Sequence, residues 1–425
     1  MQRVFLLGFV ERRNLYRPAQ GEAPFEAEEM FFSRTDDRGI ILSGNYVFQR
    51  VAHYSWDELL GAPHKLIRHP DTPKGVFWLF WDTLKKGQPI GAYVKNKARD
   101  GLYYWVFAVA MPFAGGYLSV RIKPSSDLFT IIKTEYAALR EAELEMGVGA
   151  EDSAAALLQR INELGYASYE AFASEALVRE LSARDSKMGR PEDASDAPFA
   201  EMIKSANELH DLTQKFSQDF AAISTVPTNM RIIAARLEPS GGAISSLSQN
   251  YWEMSEEMSR WFQTYVSGEN SKFSAIRSTL ENSHFLFGLS RILSSVATQF
   301  SMERRALGNL DVHSEKNQMN TLSKQYVEKA VSGLNKVVSE AQRISNAIQV
   351  MRRYTLGLST TRVMCNIESA RLPSGGGSLV DVINQLGAFQ EVLDRQLEKI
   401  EGLSHVIQDH AECLISKRAV PETQP

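Results

Sequence analysis

Arg68, His69 and Asp71 stand almost side by side in the segment Arg68-His69-Pro70-Asp71-Thr72-Pro73-Lys74, and Lys95, Asn96 and Trp105 follow on the next apolar stretches. Arg68, His69 and Lys95 are hydrogen-bond donors, Asn96 both donates and accepts, and Asp71 is placed to order Arg68 by a charge-assisted pair. Pro70 and Pro73 interrupt any regular helix, which predicts backbone amides near Asp71 that are free to meet a ligand. These groups bind; they do not assemble into a nucleophile with its base, a metal cluster or a phosphate loop. The expectation is a binding protein with no catalytic residue and no metal site, not an enzyme.

The elements that would position these residues are short. Residues 31–36 and 40–42 flank an Asp37-Arg38-Gly39 turn, which predicts a β-hairpin. Residues 45–51 and 56–61 read as short helices, the second opened by a Ser55 cap and closed by Gly61. From Gly91 to Val120 the apolar runs are broken at Asp100-Gly101 and again at Pro112 and Gly115-Gly116, a spacing that predicts three antiparallel strands. Those same breaks argue against a membrane-spanning helix over the uncharged run 102–120.

Taken with Leu66-Ile67, Leu84-Lys85-Lys86-Gly87, Val94-Lys95-Asn96 and Asp100-Gly101-Leu102-Tyr103-Tyr104-Trp105, the Arg68 segment resembles the sensory PAS domain of bacterial aerotaxis receptors. The resemblance implies an antiparallel five-stranded sheet with flanking helices. It also implies a pocket for the flavin FAD, whose redox state is the signal, with Arg68, His69, Asp71, Lys95, Asn96 and Trp105 as cofactor-binding residues. The family's Trp after the Pro is replaced here by Ile90, and Tyr93 or Trp105 is the expected aromatic substitute. Haem is the alternative cofactor, with His53, His64 or His69 as axial ligand and, for want of a Cys-x-x-Cys-His site, no covalent attachment. A ligand-free scaffold acting through protein contacts is the third reading.

The chain has 425 residues, 44% of them hydrophobic, and a formal net charge of -4, which leaves room for two or three domains and shows no bias toward nucleic acid. Two cysteines, Cys365 and Cys413, do not make a disulfide framework, and a reducing cytoplasm is the expected compartment. The apolar run 4–10 is short and leads directly into Glu11-Arg12-Arg13, so it reads as a packed cap and not an export signal.

Beyond Lys123-Pro124-Ser125-Ser126 the patterns turn helical. A helix over 128–145 is expected to leave the sensor, followed by a helical region over 152–181 and a polar linker or exposed turn over 185–198. Farther on, Ala235-Arg236-Leu237-Glu238-Pro239-Ser240-Gly241-Gly242 recurs as Ala370-Arg371-Leu372-Pro373-Ser374-Gly375-Gly376, each copy read as the tip of a helical hairpin. Around the second tip, Ala330, Val337, Ile344, Met351 and Leu358 repeat every seven residues, as do Leu379, Leu386, Leu393, Ile400, Ile407 and Leu414. That period keeps one seam facing a partner helix.

The segment Thr228-Asn229-Met230-Arg231-Ile232-Ile233-Ala234-Ala235-Arg236-Leu237-Glu238 is similar to the signalling tip of methyl-accepting chemotaxis proteins. That resemblance implies protein partners at the hairpin tips, the chemotaxis kinase or its coupling protein. Ala234 and Pro239-Ser240-Gly241-Gly242 replace residues that dock those partners in the family. Two tandem hairpins in one chain would build the four-helix bundle that chemoreceptors build by dimerising, which makes a single-chain pseudo-dimer, with the turn between the hairpins at Asn309-Leu310-Asp311-Val312.

The fold expected is therefore an α+β PAS domain followed by an all-α elongated antiparallel helical bundle of two tandem hairpins. Its divisions are an N-terminal cap (1–27), the PAS sensor (28–126), connecting helices and linker (127–198), the bundle (199–416, tips at 238–243 and 372–378) and a flexible tail (417–425).

Overall fold

The computed structural model describes residues 16–223, 226–236, 242–265, 272–303, 311–371 and 377–419. The chain forms two compact units, the first made of 1–196 with 281–330 and the second of 197–280 with 331–425. The compact units thus do not follow the linear division at 199, because residues 281–330 group with the sheet.

Unit 1 is built on five antiparallel strands, β1 (Phe31–Asp36), β2 (Ile41–Gly44), β3 (Ile90–Lys97), β4 (Tyr103–Phe113) and β5 (Gly116–Ile122), in the order β2-β1-β5-β4-β3. This is the sheet the sequence predicts. The tight β4–β5 turn needs Gly115 at φ 77, a conformation that disfavours a side chain. Between β2 and β3 lie α1 (Tyr46–Ala52), α2 (Trp56–Leu59), a 3-10 turn at His64–Ile67 and α3 (Lys74–Lys85). Ser55 and Glu58 form a reciprocal capping box at α2. Asn45 does more than cap α1: its Oδ1 also accepts the Phe32 N–H at 2.9 Å and its Nδ2 donates to the Met30 carbonyl at 2.8 Å.

Alternation along the strands separates two faces. On one, Phe31 stacks on Tyr104, and Ser33, Asn96, Ala108 and Ala110 look toward α3. On the other, Tyr93, Trp105 and Phe107 are covered by α4 (Asp127–Glu145) and α6 (Tyr169–Lys187). Helix α4 therefore does not project from the sheet as the sequence reading expects; Ile132 and Tyr136 bury it against the outer face. Helix α5 (Ala150–Glu163) packs on α3, where Lys74 N–H donates to Glu143 at 2.6 Å and Gly75 N–H to Ser153 Oγ at 3.1 Å.

A Cβ on Gly75 would overlap the backbone of Ser153 and Ala154. Gly75→Ala is accordingly expected to destabilise unit 1 by about 1–3 kcal/mol, the scale of overpacking a close contact, measured as a lowered urea midpoint. An unchanged midpoint would show that the α3–α5 contact is looser than described.

Residues 188–195 form the irregular connection the sequence predicts, exposed from Gly189 to Glu192, although α6 runs on to Lys187 and the two ends of the segment are pinned. Arg291 of α10 (Lys272–Met302) gathers Asp185, Asp193 and Asp196 at 2.6, 3.1 and 3.2 Å, and α7 (Asp196–Ile223) already begins there.

Unit 2 holds α7, α8 (Val226–Arg236), α9 (Gly242–Tyr265), the start of α10, most of α11 (Val312–Ala370) and α12 (Gly377–Ala419). Cross-helix contacts join its helices. Helix α8 packs on α9 and α12; Lys272 reaches Glu340 at 3.7 Å; Gln349 and Arg352 meet Glu401 at 2.9 and 2.6 Å; Lys399 approaches Glu208 at 3.9 Å. The seven-residue stripes are core: Ala330, Val337, Ile344, Met351, Leu358, Leu386, Leu393, Ile400, Ile407 and Leu414 are all buried. Cys365 is buried and Cys413 exposed, both as free thiols. Residues 239–241 of the first Pro-Ser-Gly-Gly sequence, all of the second, Asn309 and Leu310 of the turn expected at 309–312, the Leu379 side chain and residues 1–15 fall outside what is described.

Candidate functional site

The free edge of β3 organises the Arg68 segment. Arg68 and Asn96 form an antiparallel bridge, His69 N–H donates to the Lys95 carbonyl at 3.3 Å, and the Thr72 hydroxyl donates to that same oxygen at 2.9 Å. The two prolines make this possible: they stop a helix from forming and let the loop lie along the strand as a short extra edge.

Two connected features result. Between the inner sheet face and α3 lies a cavity of about 60 Å³, walled by Phe77, Phe80, Trp81, Leu84, Val94, Ala108 and Ala110 with Asn96, Ser119 and Arg121 among its polar groups. Outside it lies an open groove of about 870 Å³ that carries Arg68, Lys74, Lys85, Lys97 and Arg140 beside His69 and Trp78. Arg68, Phe77 and Trp81 line both. The Arg68 guanidinium lies 3.7 Å from the Phe77 ring centroid, a cation–π contact that closes the boundary between cavity and groove. Burial lowers its pKa.

Of the six residues the sequence singles out, three line these spaces: Arg68 both, His69 the groove, Asn96 the cavity. The other three do not. Lys95 points away from the cavity, where its ammonium pairs with Asp71 at 2.6 Å and lies 4.4 Å from the Tyr103 ring centroid. Asp71 consequently orders Lys95 and His69 and not Arg68; Lys95 holds its carboxyl below the usual range. Its N–H is not free either, since it donates to His69 Nδ1 at 3.2 Å.

Trp105 is on the outer sheet face under α4, 5.4 Å from Phe129, as period-2 alternation from Asn96's partner Tyr104 requires. Tyr93 faces the same way, with its hydroxyl on Glu180 at 2.9 Å. Neither replaces the aromatic missing at Ile90. The aromatic wall comes from α3 instead, and the dense run Phe77-Trp78-Leu79-Phe80-Trp81 was its signal in the sequence.

Arg121 was missed, and His64 was singled out only as a haem ligand. Arg121 Nη2 donates to Ser33 Oγ at 2.9 Å and to His64 Nε2 at 2.6 Å, so His64 is an acceptor there and its proton is on Nδ1. Burial first, then Arg121 and Arg68, hold His64 well below its ordinary pKa, hence neutral. Burial also brings Arg121 down to about 10. Its isolated positive charge in the apolar stretch Leu118-Ser119-Val120-Arg121-Ile122 could have marked it.

Comparison with known proteins bears on this site directly. Residues 41–117 match the family described as the PAS fold. The chain carries a PAS domain. A 125-residue stretch is 37% identical to the aerotaxis receptor of Escherichia coli strain K12, covering 28% of this chain and 25% of the receptor. A match of 81 residues is 35% identical to the nitrogen fixation regulatory protein of Klebsiella pneumoniae, over 19% of this chain and 16% of that protein. The chain therefore spans about a quarter or less of the length of these relatives. Among solved structures, the light state of the blue-light photoreceptor Aureochrome1 LOV is 19% identical, with a TM-score of 0.23 over 26% of this chain and 91% of that one. The PAS domain is aerotaxis-receptor-like, and the helical region follows it. Among the described residues no helix is long and apolar enough to cross a membrane, and no group of three or more His, Cys, Asp or Glu could hold a metal ion.

Proposed function

We propose that this protein is a cytoplasmic, non-enzymatic redox sensor in which the PAS domain binds FAD and relays its state to the helical bundle. The observation that carries the reading is the aromatic cavity opening past Arg68 into a groove with five cationic side chains. A flavin needs an apolar wall for its ring, donors for its carbonyls and positive charge for its diphosphate. Phe77, Phe80 and Trp81 would supply the wall and Asn96 a donor and acceptor; Arg68, Lys74, Lys85, Lys97 and Arg140 would supply the charge. The bound flavin would contribute reversible electron transfer.

The polar chemistry fits such a ligand. Ser119 Oγ and Arg121 Nη1 are buried without a hydrogen-bond partner beside the cavity, a costly state that a ring's carbonyl edge would relieve. The present volume of about 60 Å³ is too small for a three-ring system, so Arg68 and the α3 aromatics must move aside on binding. That closure also favours the second reading, a ligand-free scaffold. Haem fits less well: Arg121 occupies His64 Nε2, His53 is exposed at the end of α1, and Asp71 engages His69 Nδ1.

Strand β1 supports a relay route. Its inner residue Ser33 touches Arg121, while its outer residues meet the helices: Phe32 is edge-on to Phe300 of α10 at 4.6 Å and Arg34 pairs with Glu315 of α11 at 2.7 Å. Gln299 adds two hydrogen bonds to the Met30 backbone. The packing of α8 on α9 and α12 and the pairing of α11 with α12 through Arg352 and Glu401 support the single-chain pseudo-dimer, with protein partners, the chemotaxis kinase or its coupling protein, at the hairpin tips.

Arg68→Ala is expected to reduce FAD affinity at least tenfold with the circular dichroism unchanged, whereas Asp71→Ala, which removes only an exposed pair, should change it less than threefold. Equal affinity of the wild-type and Arg68→Ala chains would remove the cavity boundary from the binding site.

A further inference from the structure

We infer that Arg121 is the charge-selecting residue of the inner cavity, held in aim by neutral His64 and Ser33, and that the cavity prefers a ligand whose ring edge is negative. The inference rests on the flavin reading and adds which charge form of the ring is held. Its basis is an electrostatic imbalance. The residues lining the cavity include two arginines, Arg68 and Arg121, and no carboxylate. Arg68 is at the boundary, stacked on Phe77; Arg121 is on the central strand β5 and only 3% exposed.

The neighbours of Arg121 are uncharged. Two of its contacts accept hydrogen bonds, Ser33 Oγ and His64 Nε2, and its guanidinium is 5.5 Å from the Phe48 ring centroid. Tyr104, whose hydroxyl has no partner, also stands near it. Nη1 is buried and unpartnered. A guanidinium stays protonated at working pH, so burial leaves a fixed positive charge aimed into a low-dielectric space. His64 cannot add a second one, because its Nε2 lone pair is committed to Arg121.

This arrangement discriminates between two forms of the same heterocycle. Oxidised flavin presents a neutral pyrimidine edge, and deprotonated reduced flavin presents a negative one at the same atoms. Differential binding of the two forms shifts their equilibrium by the same factor. The cavity would thus set the sensor's poise through one cation.

The test uses the full chain and two probes, oxidised FAD and FAD reduced with dithionite without oxygen. Wild-type protein should bind reduced FAD more tightly than oxidised FAD; Arg121→Met should lower that ratio at least tenfold, and Arg121→Lys should retain most of it. A ratio unchanged in Arg121→Met overturns the inference and leaves the flavin reading standing. Failure of the wild type to bind either probe overturns both. Should Arg121→Met not fold, the wild type decides: its reduced FAD should keep the absorption of the anionic form below the pH at which free reduced flavin takes up its proton. The neutral form's spectrum there would overturn the proposal.

Discussion

Replacing Glu180 with alanine is expected to destabilise unit 1 by about 3 kcal/mol or more, the scale of leaving several buried donors unpaired. Glu180 is fully buried in α6, and its carboxylate accepts from Ser125 N–H at 2.6 Å, Ser126 N–H at 3.2 Å, Ser126 Oγ at 2.6 Å and Tyr93 Oη at 2.9 Å. One side chain thereby joins the N-terminus of α4, whose cap is Ser126, to the outer face of β3. Burial, and then Glu180 itself, push the Tyr93 hydroxyl upward, so it remains a donor. Alanine removes every acceptor at once and the donors stay buried. Glu180→Gln keeps one carbonyl and should cost less than half as much. Urea unfolding followed by near-ultraviolet circular dichroism measures both; an alanine variant within about 1 kcal/mol of wild type, no larger than one ordinary hydrogen bond, would show that α6 is not held this way.

The second large effect is a pH dependence centred on Glu303. This carboxyl, at the end of α10, accepts from Tyr46 N–H at 3.0 Å, Asn45 Nδ2 at 3.2 Å and Gln299 Nε2 at 2.5 Å, and it is fully buried. Burial outweighs those donors and raises its pKa from 4.5 to about 7. A folded-state pKa above the unfolded one means that protonation favours the folded form. Glu303 therefore contributes stability that is complete below about pH 4.5 and lost as pH rises through about 7. The shift corresponds to something on the order of 3 kcal/mol.

Glu315, also raised by burial against the pull of Arg34, acts in the same direction. Asp36 and Asp71 are lowered, so their contributions are lost only below the ordinary aspartate value of 3.8, outside this window, whereas His64, held well below 6.5, opposes Glu303 within it, so the comparison with the Glu303 variant isolates the carboxyl. Glu303→Gln mimics the protonated form and should flatten the loss between those pH values. An equally steep loss in the variant would place the titration elsewhere. Since Glu303 also fixes α10 to the N-terminus of α1, the same titration loosens the contact through which the proposed relay runs.

How much of this was legible in the sequence differs by element. The sheet was, because Gly and Pro punctuate the apolar runs from Gly91 to Val120, even though burial of both faces leaves little polar–apolar alternation. The buried stripes of α11 and α12 were as well, since a seven-residue period survives polar interruptions such as Gln396. Site residues were harder. Asn96 was found and Trp105 misplaced for the same reason: period-2 alternation assigns them to opposite faces, but choosing the cavity face requires knowing where α3 packs. The Asp71 partner depended on the side-chain reach of Lys95 across the loop. Arg121, His64 and the α3 aromatics were invisible as a set because they lie far apart in the chain and meet only when β5, the 3-10 turn and α3 close over the sheet. The docking of α10 on β1, through Gln299, Phe300 and Glu303, has no local signature whatever.

The central claim is that this PAS domain holds a flavin, and the absorption spectrum of the freshly purified full chain tests it most directly. A yellow protein is expected, with the flavin band near about 450 nm, as the cofactor's own chemistry gives, released on denaturation as FAD in equal amount to the chain. A colourless protein that also fails to take up added FAD, or one with a haem Soret band, would contradict it.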